Sequence, residues 1–194
     1  MNVLIILGHP DTKSFNHAVA QTCISQIKTN GHSVFFHDLY VENFNPVLHI
    51  DSKKPDTNFD PQIKLHTNDL MNSDGIIVIH PNWWGQPPAI IKGWLDRVLI
   101  PGIAYEFVIN EEGRRFPQGL LKAQNAIVLN TSNSPYDKKY DPLKSIWENS
   151  VFNFCGVNKI EHRNFCLVKE SNDTQRNVWL KEIEVLINIT FPKQ

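Results

Sequence analysis

Short apolar segments alternate with amphipathic stretches along the chain. Segments typical of strands cover residues 1–7, 33–37, 76–79, 126–130 and 158–168. Apolar side chains at helical spacing predict helices at about 15–29, 61–72, 89–99, 142–154 and 173–189. Strands that alternate with helices are typical of parallel sheets with helices on both faces. We therefore predict an α/β fold, a doubly wound five-stranded parallel sheet with strand order 2-1-3-4-5.

Three segments between these elements also carry structural signals. Asp60 and Pro61 are a typical N-cap and first-turn pair for the second helix. A polar turn at residues 110–115 predicts the tip of a hairpin, and the edge strand is expected at 158–168, where polar residues alternate. Residues 41–60 show few regular signals and are expected to form a long surface excursion.

The composition restricts the classes of protein that fit. The chain has 194 residues, 41% of them hydrophobic, which suffices for one core and predicts a single domain over 1–194. A net charge of −1 gives no electrostatic case for nucleic acid as a partner. No apolar run reaches the ~20 residues of a membrane span, and no signal peptide is evident, so membrane insertion is not expected. Three cysteines outside metal-ligand spacing predict reduced thiols, a cytoplasmic location and no metal site.

The first candidate site is the loop after the third strand. Residues 80–88 read HPNWWGQPP, and their three prolines and one glycine cannot continue a central strand. Trp83 and Trp84 therefore lie at the carboxyl end of a buried strand, where open α/β sheets bind ligands. Flat apolar walls and backbone amides in a stiff loop suit a planar heterocycle. The alternative, with about equal weight from the residues alone, is that the two rings only cover the sheet edge.

The loops after the first and fourth strands reach the same edge of the predicted sheet. Ser14 is a natural N-cap, and the helix N-terminus that it begins favours phosphate. Neither the P-loop nor the G-x-G-x-x-G fingerprint is present. From the residues alone, Ser14 as a simple cap and His9 as an ordinary loop histidine are the favoured interpretation. Thr131 opens the third of these loops.

Two long motifs resemble a known family. GHPDTKSFNHA at residues 8–18 and HPNWWGQPPAIIKGWLDRVLIPGIAYEF at residues 80–107 are similar to the signatures of the flavodoxin-like NAD(P)H:quinone oxidoreductases. That family includes flavin-binding ancillary subunits of bacterial potassium-efflux systems. The resemblance implies a flavodoxin-like fold, an NAD(P)H dehydrogenase (quinone)-like enzyme and a bound flavin.

The resemblance also implies roles for individual residues. The positions that match the family's flavin-binding motifs are His9, Ser14, Phe15, Asn16, Ala18, Pro81, Asn82, Trp83, Trp84, Gly85, Thr131, Ser132, Asn133 and Tyr136. Tyr105 is expected to line the substrate face above the flavin ring, together with Phe107, and Tyr105 and Tyr140 are the candidate catalytic residues.

The chain departs from the family at one loop. Relatives often carry two glycines where this chain has Asn133, Ser134 and Pro135, although asparagine tolerates left-handed φ. They also place a histidine shortly beyond, whereas none occurs here between His80 and His162. A proton-relay role for such a histidine is therefore not expected.

The resemblance implies a ping-pong oxidoreductase. Hydride passes from NADPH or NADH to the flavin, and then to a quinone or a similar electron-poor acceptor. FAD is the expected flavin, with FMN as the alternative, and a homodimer is the expected assembly. The second hypothesis from the same family is a flavin-binding regulatory subunit of a membrane transporter with secondary reductase activity.

Overall fold

The computed structural model describes residues 1–48, 60–135 and 141–193. Its strands are β1 (Asn2–Leu7), β2 (Ser33–Asp38), β3 (Gly75–Pro81), β4 (Tyr105–Ile109), β5 (Arg115–Gly119), β6 (Asn125–Thr131) and β7 (Lys159–Phe165). Its α-helices are α1 (Phe15–Thr29), α2 (Pro61–Met71), α3 (Ala89–Val98), α4 (Pro142–Ser145) and α5 (Asp173–Thr190), and a π-helix covers Ile146–Phe152.

Five parallel strands form the central sheet in the order β2-β1-β3-β6-β7. Counted along the sheet strands alone, this is the predicted order 2-1-3-4-5. The remaining two strands, β4 and β5, pair antiparallel as the predicted hairpin, with Gly113 in its turn at φ +75°. The edge position predicted for the last strand is confirmed, since β7 pairs with β6 alone among the described strands.

Successive side chains of a strand point to opposite faces of the sheet, and both faces of this sheet are buried. Leu4 and Ile6 of β1 belong to the hydrophobic core that also holds residues of α2, α3 and the π-helix. Val3, Ile5 and Leu7 belong to a second core with residues of α1 and α5. Helices therefore cover both faces, as predicted. Among the described residues, no helix combines the length and the apolar character needed to cross a membrane.

The helix starts follow the capping signals in the sequence. Asp60 accepts a hydrogen bond from the amide of Gln62 at 2.9 Å, and Asn172 accepts one from Gln175 at 2.9 Å. Ser14 occupies the N-cap of α1, but its hydroxyl makes no capping hydrogen bond. The hydroxyl is engaged elsewhere, by His17. Most of the predicted excursion, residues 49–59, lies outside the described residues.

The helix predicted at 142–154 forms over residues 142–152, but it is not a regular α-helix throughout. Only four residues are α-helical, and the chain then widens into the π-helix Ile146–Phe152. The backbone amide of Asn153 bonds to the carbonyl of Glu148, five residues earlier, at 3.0 Å. Trp147 and Phe152 stack their rings at 5.5 Å on the buried side. Trp147 and Phe152 are five residues apart. The wider π-helical turn places residues at this separation on the same side of the helix, so both rings enter the core.

The three cysteines differ in their exposure to solvent. Cys23 and Cys155 are buried in the two cores, and Cys166 is partly exposed after β7. Burial raises the pKa of the Cys23 thiol far above its usual range and that of Cys155 to about 11. All three are free thiols.

Candidate active site

A cavity of about 370 Å³ opens at the carboxyl edge of the sheet. Ten of the fourteen residues predicted to bind the cofactor line it together: His9, Ser14, Phe15, Asn16, Pro81, Asn82, Trp83, Thr131, Ser132 and Asn133. They come from the loops after β1, β3 and β6, which the parallel register brings to one edge. The three loops that the sequence singled out therefore form one site.

Backbone and side-chain hydrogen bonds tie the three loops together. The amide of Asn82 donates to the carbonyl of Thr131 at 2.7 Å, and Asn16 Nδ2 donates to Thr131 Oγ1 at 2.8 Å. Asn16 is 2% exposed, and its Oδ1 has no hydrogen-bond partner among the residues that the structure describes. An unpaired buried oxygen is costly, and a donor from a ligand in the cavity would satisfy it.

The loop after β3 turns back at Trp84 and Gly85. Trp83 and Gln86 exchange two backbone hydrogen bonds at 3.0 Å, and Trp84 and Gly85 between them have φ of +60° and +73°. Two left-handed residues in a two-residue turn are the hallmark of a type I′ hairpin, which favours Asn and Gly. A tryptophan in this position is strained, and its side chain is fully exposed.

Three cofactor candidates among the described residues do not line this cavity. Trp84 and Gly85 form the tip of the adjoining turn, and Ala18 lines a shallower depression on the α5 side of Ser14. Tyr136 and the candidate catalytic residue Tyr140 lie outside the described residues. Their predicted roles stay predictions.

Tyr105 lies on the other side of the tryptophan loop. It lines a second cavity of about 320 Å³, together with Gln86 and Pro87. Phe107 packs edge-on against Tyr105, with ring centroids 5.7 Å apart, and Phe154 contacts both rings. Within the described part of the chain, the substrate candidates and the cofactor candidates thus occupy neighbouring cavities rather than one.

Sequence reasoning missed the cationic side of the first cavity. Lys13, Lys169 and Arg176 line it, together with Asp11 and Val168. Arg176 is held by its own chain, because Nε donates to Ser171 Oγ at 2.9 Å and Nη2 donates to the carbonyl of Val168 at 3.1 Å. Lys13 belongs to the motif GHPDTKSFNHA at residues 8–18. Lys169 could have been found from the topology, since the loop after β7 reaches the same sheet edge, whereas Arg176 lies in α5.

His9 lines the cavity and is held by the backbone of Asp11. Its Nδ1 lies 3.1 Å from the amide nitrogen and 3.2 Å from the carbonyl oxygen of Asp11. Partial burial lowers the pKa of His9, with a smaller contribution from nearby His17. The neutral ring is therefore favoured at neutral pH.

A buried polar network adjoins the cavity and consists of His80, Asn130, Trp147 and His162. His80 and Asn130 directly precede Pro81 and Thr131, which line the cavity. Trp147 Nε1 donates to His80 Nε2 at 3.0 Å. Asn130 Nδ2 lies 2.9 Å from the same nitrogen and donates to the carbonyl of His80 at 3.3 Å. His80 Nδ1 donates to the carbonyl of Pro81 at 2.8 Å. Burial lowers the pKa of His80 to about 4, so the ring is neutral and fixed in one tautomer. Burial also lowers the pKa of His162, which joins the network through Asn130.

A second polar cluster, His37, Glu42, His66 and Asp69, lies at the end of β2. Potential ligand atoms of His37, Glu42 and His66 lie within 4.8 Å of one another, which resembles metal spacing. However, Trp94 Nε1 donates to His66 Nδ1 at 2.9 Å, so the hydrogen of the neutral ring must be on Nε2, which donates to Glu42 at 3.0 Å. A metal would need a lone pair on that nitrogen. We therefore assign a hydrogen-bonded cluster.

Comparison with known proteins decides the family. A family profile described as the flavodoxin-like fold matches residues 1–184. An uncharacterized NAD(P)H oxidoreductase of Haemophilus influenzae is 34% identical over 93% of this chain and 91% of its own length. The chain belongs to the flavodoxin-like NAD(P)H oxidoreductase family. The predicted family, fold and enzyme class are thereby confirmed.

Two further family comparisons are consistent with this assignment. Rat NAD(P)H dehydrogenase [quinone] 1 is 29% identical over 81% of this chain and 66% of its own length, so it contains a segment that this chain does not match. The structure of an NAD(P)H:quinone oxidoreductase from Methanothermobacter marburgensis superposes with a TM-score of 0.79. It covers 97% of this chain and 96% of its own, at 22% identity, and supports the fold.

Proposed function

We propose that this flavodoxin-like protein is a flavin-dependent NAD(P)H oxidoreductase that reduces quinones or similar electron-poor acceptors by a ping-pong mechanism. The observation that carries the proposal is the cavity at the sheet edge, where three loops combine an aromatic wall, hydrogen-bonding groups and cations. A bound flavin would supply the redox chemistry, accepting hydride from NADPH or NADH and passing it to the acceptor.

The residues of the cavity fit a phosphorylated flavin. Ser14, Phe15 and Asn16 place the N-terminus of α1 at the cavity, and its first amides lack acceptors within the helix. Lys13, Lys169 and Arg176 supply positive charge in the same cavity. The unpaired Oδ1 of Asn16 provides an acceptor for a hydroxyl of the ribityl chain. The chain would therefore bind phosphate and ribityl groups between α1 and α5.

Trp83 would form the wall beside the flavin ring. It is 43% exposed and lies in the turn fixed by its hydrogen bonds to Gln86. The loop of Thr131, Ser132 and Asn133 faces it across the cavity. The amide of Lys169 donates to Asn133 Oδ1 at 3.2 Å, which holds this loop without the family's two glycines. The φ of Asn133 is not in the left-handed region, so this turn does not use the left-handed asparagine that the sequence allowed.

We propose FAD as the cofactor, with FMN as the alternative. Three cations line the cavity and suit the phosphate groups of either flavin. FAD is preferred because the motifs of the chain most resemble those of the FAD-dependent quinone reductases. The proposed location is the cytoplasm, since no described helix could serve as a membrane span and the thiols are free.

We propose a homodimer in which Tyr105 and Phe107 approach the flavin of the second subunit. In one chain they line or adjoin a cavity separate from the cofactor candidates. The hairpin that carries them exposes Phe107, Ile109 and Phe116, with 43%, 72% and 43% of each side chain accessible. Exposed apolar residues in one hairpin favour a protein contact. Sedimentation analysis of the wild type and of Ile109→Glu would test this, with a dimer in the wild type only.

The test of the function is spectroscopic. Purified protein, loaded with flavin, is reduced anaerobically with NADPH and then mixed with a simple benzoquinone. The flavin absorbance is expected to bleach with NADPH and to return with the quinone. A flavin band that fails to respond to NADPH would favour the regulatory-subunit hypothesis, and absence of flavin binding after reconstitution would overturn the proposal. Tyr105→Phe keeps the aromatic ring and removes only the hydroxyl. A slower return of the flavin band with quinone in this variant would assign a role to the hydroxyl, and an unchanged rate would show that the ring is sufficient.

A further inference from the structure

Three side chains form a hydrogen-bonded row behind the phosphate end of the cavity. Ser14 Oγ lies 3.0 Å from His17 Nδ1, and His17 Nε2 lies 2.9 Å from Asp38 Oδ2. Asp38 ends β2 and is 7% exposed, and its other oxygen accepts from the amides of Tyr40 and Val41 at 3.2 Å. The row thus runs from a fixed buried carboxylate to a hydroxyl that lines the cavity.

The protonation of His17 decides which way the Ser14 hydroxyl points. The ring nitrogen next to Asp38 must carry a hydrogen, because a carboxylate only accepts. If His17 is neutral, its Nδ1 has a lone pair and takes the hydroxyl hydrogen of Ser14. The hydroxyl then offers only lone pairs to the cavity. If His17 is protonated on both nitrogens, Nδ1 donates to Ser14 Oγ, and the hydroxyl hydrogen is released toward the cavity.

An anion in the cavity selects the second arrangement. A phosphate oxygen is an acceptor and is repelled by lone pairs but attracted by a hydroxyl hydrogen. We propose that His17, held by Asp38, is the positioning residue for Ser14, and that the protein takes up one proton at His17 when a phosphorylated flavin binds. This inference rests on the proposed function, because it assigns the phosphate end of the flavin to Ser14.

Charged groups of both signs surround His17. His17 lies in the first turn of α1, where the helix dipole disfavours a cation. The ring of His9 stands edge-on to it, with centroids 6.3 Å apart, and Lys13 and Arg176 add positive charge at the cavity. Asp38 from β2 and Asp11 from the first loop supply negative charge. A pyrophosphate bound at Ser14 would add negative charge close to His17, which favours the protonated form of the ring.

Proton uptake gives a direct test with a defined probe. FAD is the probe, because its pyrophosphate does not titrate near neutral pH, and riboflavin, which lacks phosphate, is the reference. Calorimetric titrations in two buffers with different ionisation enthalpies measure the protons taken up for each flavin bound. The wild type is expected to take up a substantial fraction of one proton with FAD near pH 7 and none with riboflavin. His17→Gln should abolish the uptake, and Asp38→Asn should reduce it.

The same inference predicts a pH profile of affinity. Between about pH 5 and pH 8, where imidazole changes its charge, the ratio of FAD to riboflavin affinity should rise as the pH falls in the wild type. Linkage of one proton sets an upper limit of about tenfold for each pH unit. In His17→Gln the ratio should stay flat and low. A role of His17 in packing alone would lower both affinities together and leave the profile unchanged.

His9→Gln provides the matched control, since His9 lines the same cavity. Uptake that persists in His9→Gln and disappears in His17→Gln supports the proposal, and the reverse pattern overturns it. Equal uptake in the wild type and His17→Gln also overturns it, while flavin binding and reduction by NADPH would leave the proposed function intact. Should His17→Gln fail to fold, Asp38→Asn decides, with undiminished uptake as the contradicting result. Failure of every flavin to bind would instead contradict the proposed function.

Discussion

Trp94 donates its indole hydrogen to Nδ1 of His66 across 2.9 Å, in the core between α2 and α3. Both residues are buried, at 2% and 0% exposure. This one bond fixes the tautomer of His66 and directs its other nitrogen to Glu42 as a donor. Burial would raise the pKa of Glu42, but the hydrogen bonds from His37 and His66 outweigh it and lower the pKa to about 2.

Trp94→Phe should destabilise the fold by about 1–3 kcal/mol beyond the loss of ring volume, because it leaves the buried Nδ1 of His66 without a partner. Urea unfolding measures the effect. Trp179→Phe, which trims a ring packed on Phe15 and Phe165, is the control for volume. A double-mutant cycle with His66→Phe should give a coupling free energy near 1 kcal/mol, and additive losses would speak against the hydrogen bond.

The tautomer of His66 also predicts the response to zinc. Added zinc should leave the unfolding midpoint of the wild type unchanged, because His66 Nε2 offers a hydrogen rather than a lone pair. Thermal unfolding with and without the metal measures this. Stabilisation by zinc that is lost in His37→Gln would show that the cluster binds metal.

His80 should make the fold sensitive to mild acid. Its pKa is lowered by burial from 6.5 to about 4, so the unfolded chain binds a proton more readily than the native state. The free energy of unfolding should therefore fall as the pH drops from about 6.5 toward 4, by up to about 3 kcal/mol from this group. His80→Gln removes the titration, and its stability should decline less steeply over the same range. Parallel pH profiles would contradict the assignment.

Trp84 should trade stability for cofactor binding. Its φ of +60° suits asparagine better than tryptophan, so Trp84→Asn should raise the unfolding free energy by about 1 kcal/mol. The same change should weaken flavin retention if the exposed ring closes on the isoalloxazine. Trp83→Ala, which removes the wall of the cavity without relieving strain, should lower flavin affinity by roughly three- to tenfold through lost ring contact. Flavin fluorescence quenching and urea unfolding measure the two effects.

Unchanged stability in Trp84→Asn would contradict the backbone strain at this position. Unchanged flavin affinity would show that the Trp84 ring does not contact the flavin. Unchanged affinity in Trp83→Ala would remove the cavity wall from the site.

Arg176→Gln should weaken FAD and FMN binding by about tenfold, because a charge-assisted hydrogen bond to phosphate contributes about 1.5–3 kcal/mol less its desolvation. Riboflavin affinity should not change. Arg163→Gln is the control, as Arg163 pairs with Glu161 on β7 and does not line the cavity. A loss of riboflavin affinity in Arg176→Gln would indicate a disturbed loop instead of a lost phosphate contact.

The sequence was sufficient for the sheet because burial on two faces leaves an apolar signature. Ile76, Ile77, Val78 and Ile79 form an unbroken apolar run and are almost wholly inaccessible in β3. The π-helix could not be predicted, because it leaves no comparable signature in the sequence. Apolar residues from Leu143 to Phe152 fit a helical period closely enough, and the change in hydrogen-bond register appears only when Trp147 and Phe152 pack together.

The site was predictable where one loop carries its own chemistry. Trp83 and Ser14 stand in motifs whose composition already departs from that of the surrounding elements. Arg176 and the pairing of His17 with Asp38 were not predictable in this way. They join residues that are far apart in the chain, and only the packing of α1 against β2 and α5 brings them to the cavity.

The unequal burial of the three cysteines has a practical consequence. Cys23 and Cys155 combine burial with a raised thiol pKa, whereas Cys166 is partly exposed and stands two residues before Val168, which lines the cavity. A maleimide dye should therefore attach to the native chain at one position, with no engineered mutation. Energy transfer between that dye and an arriving flavin would make the chain its own optical reporter of cofactor loading.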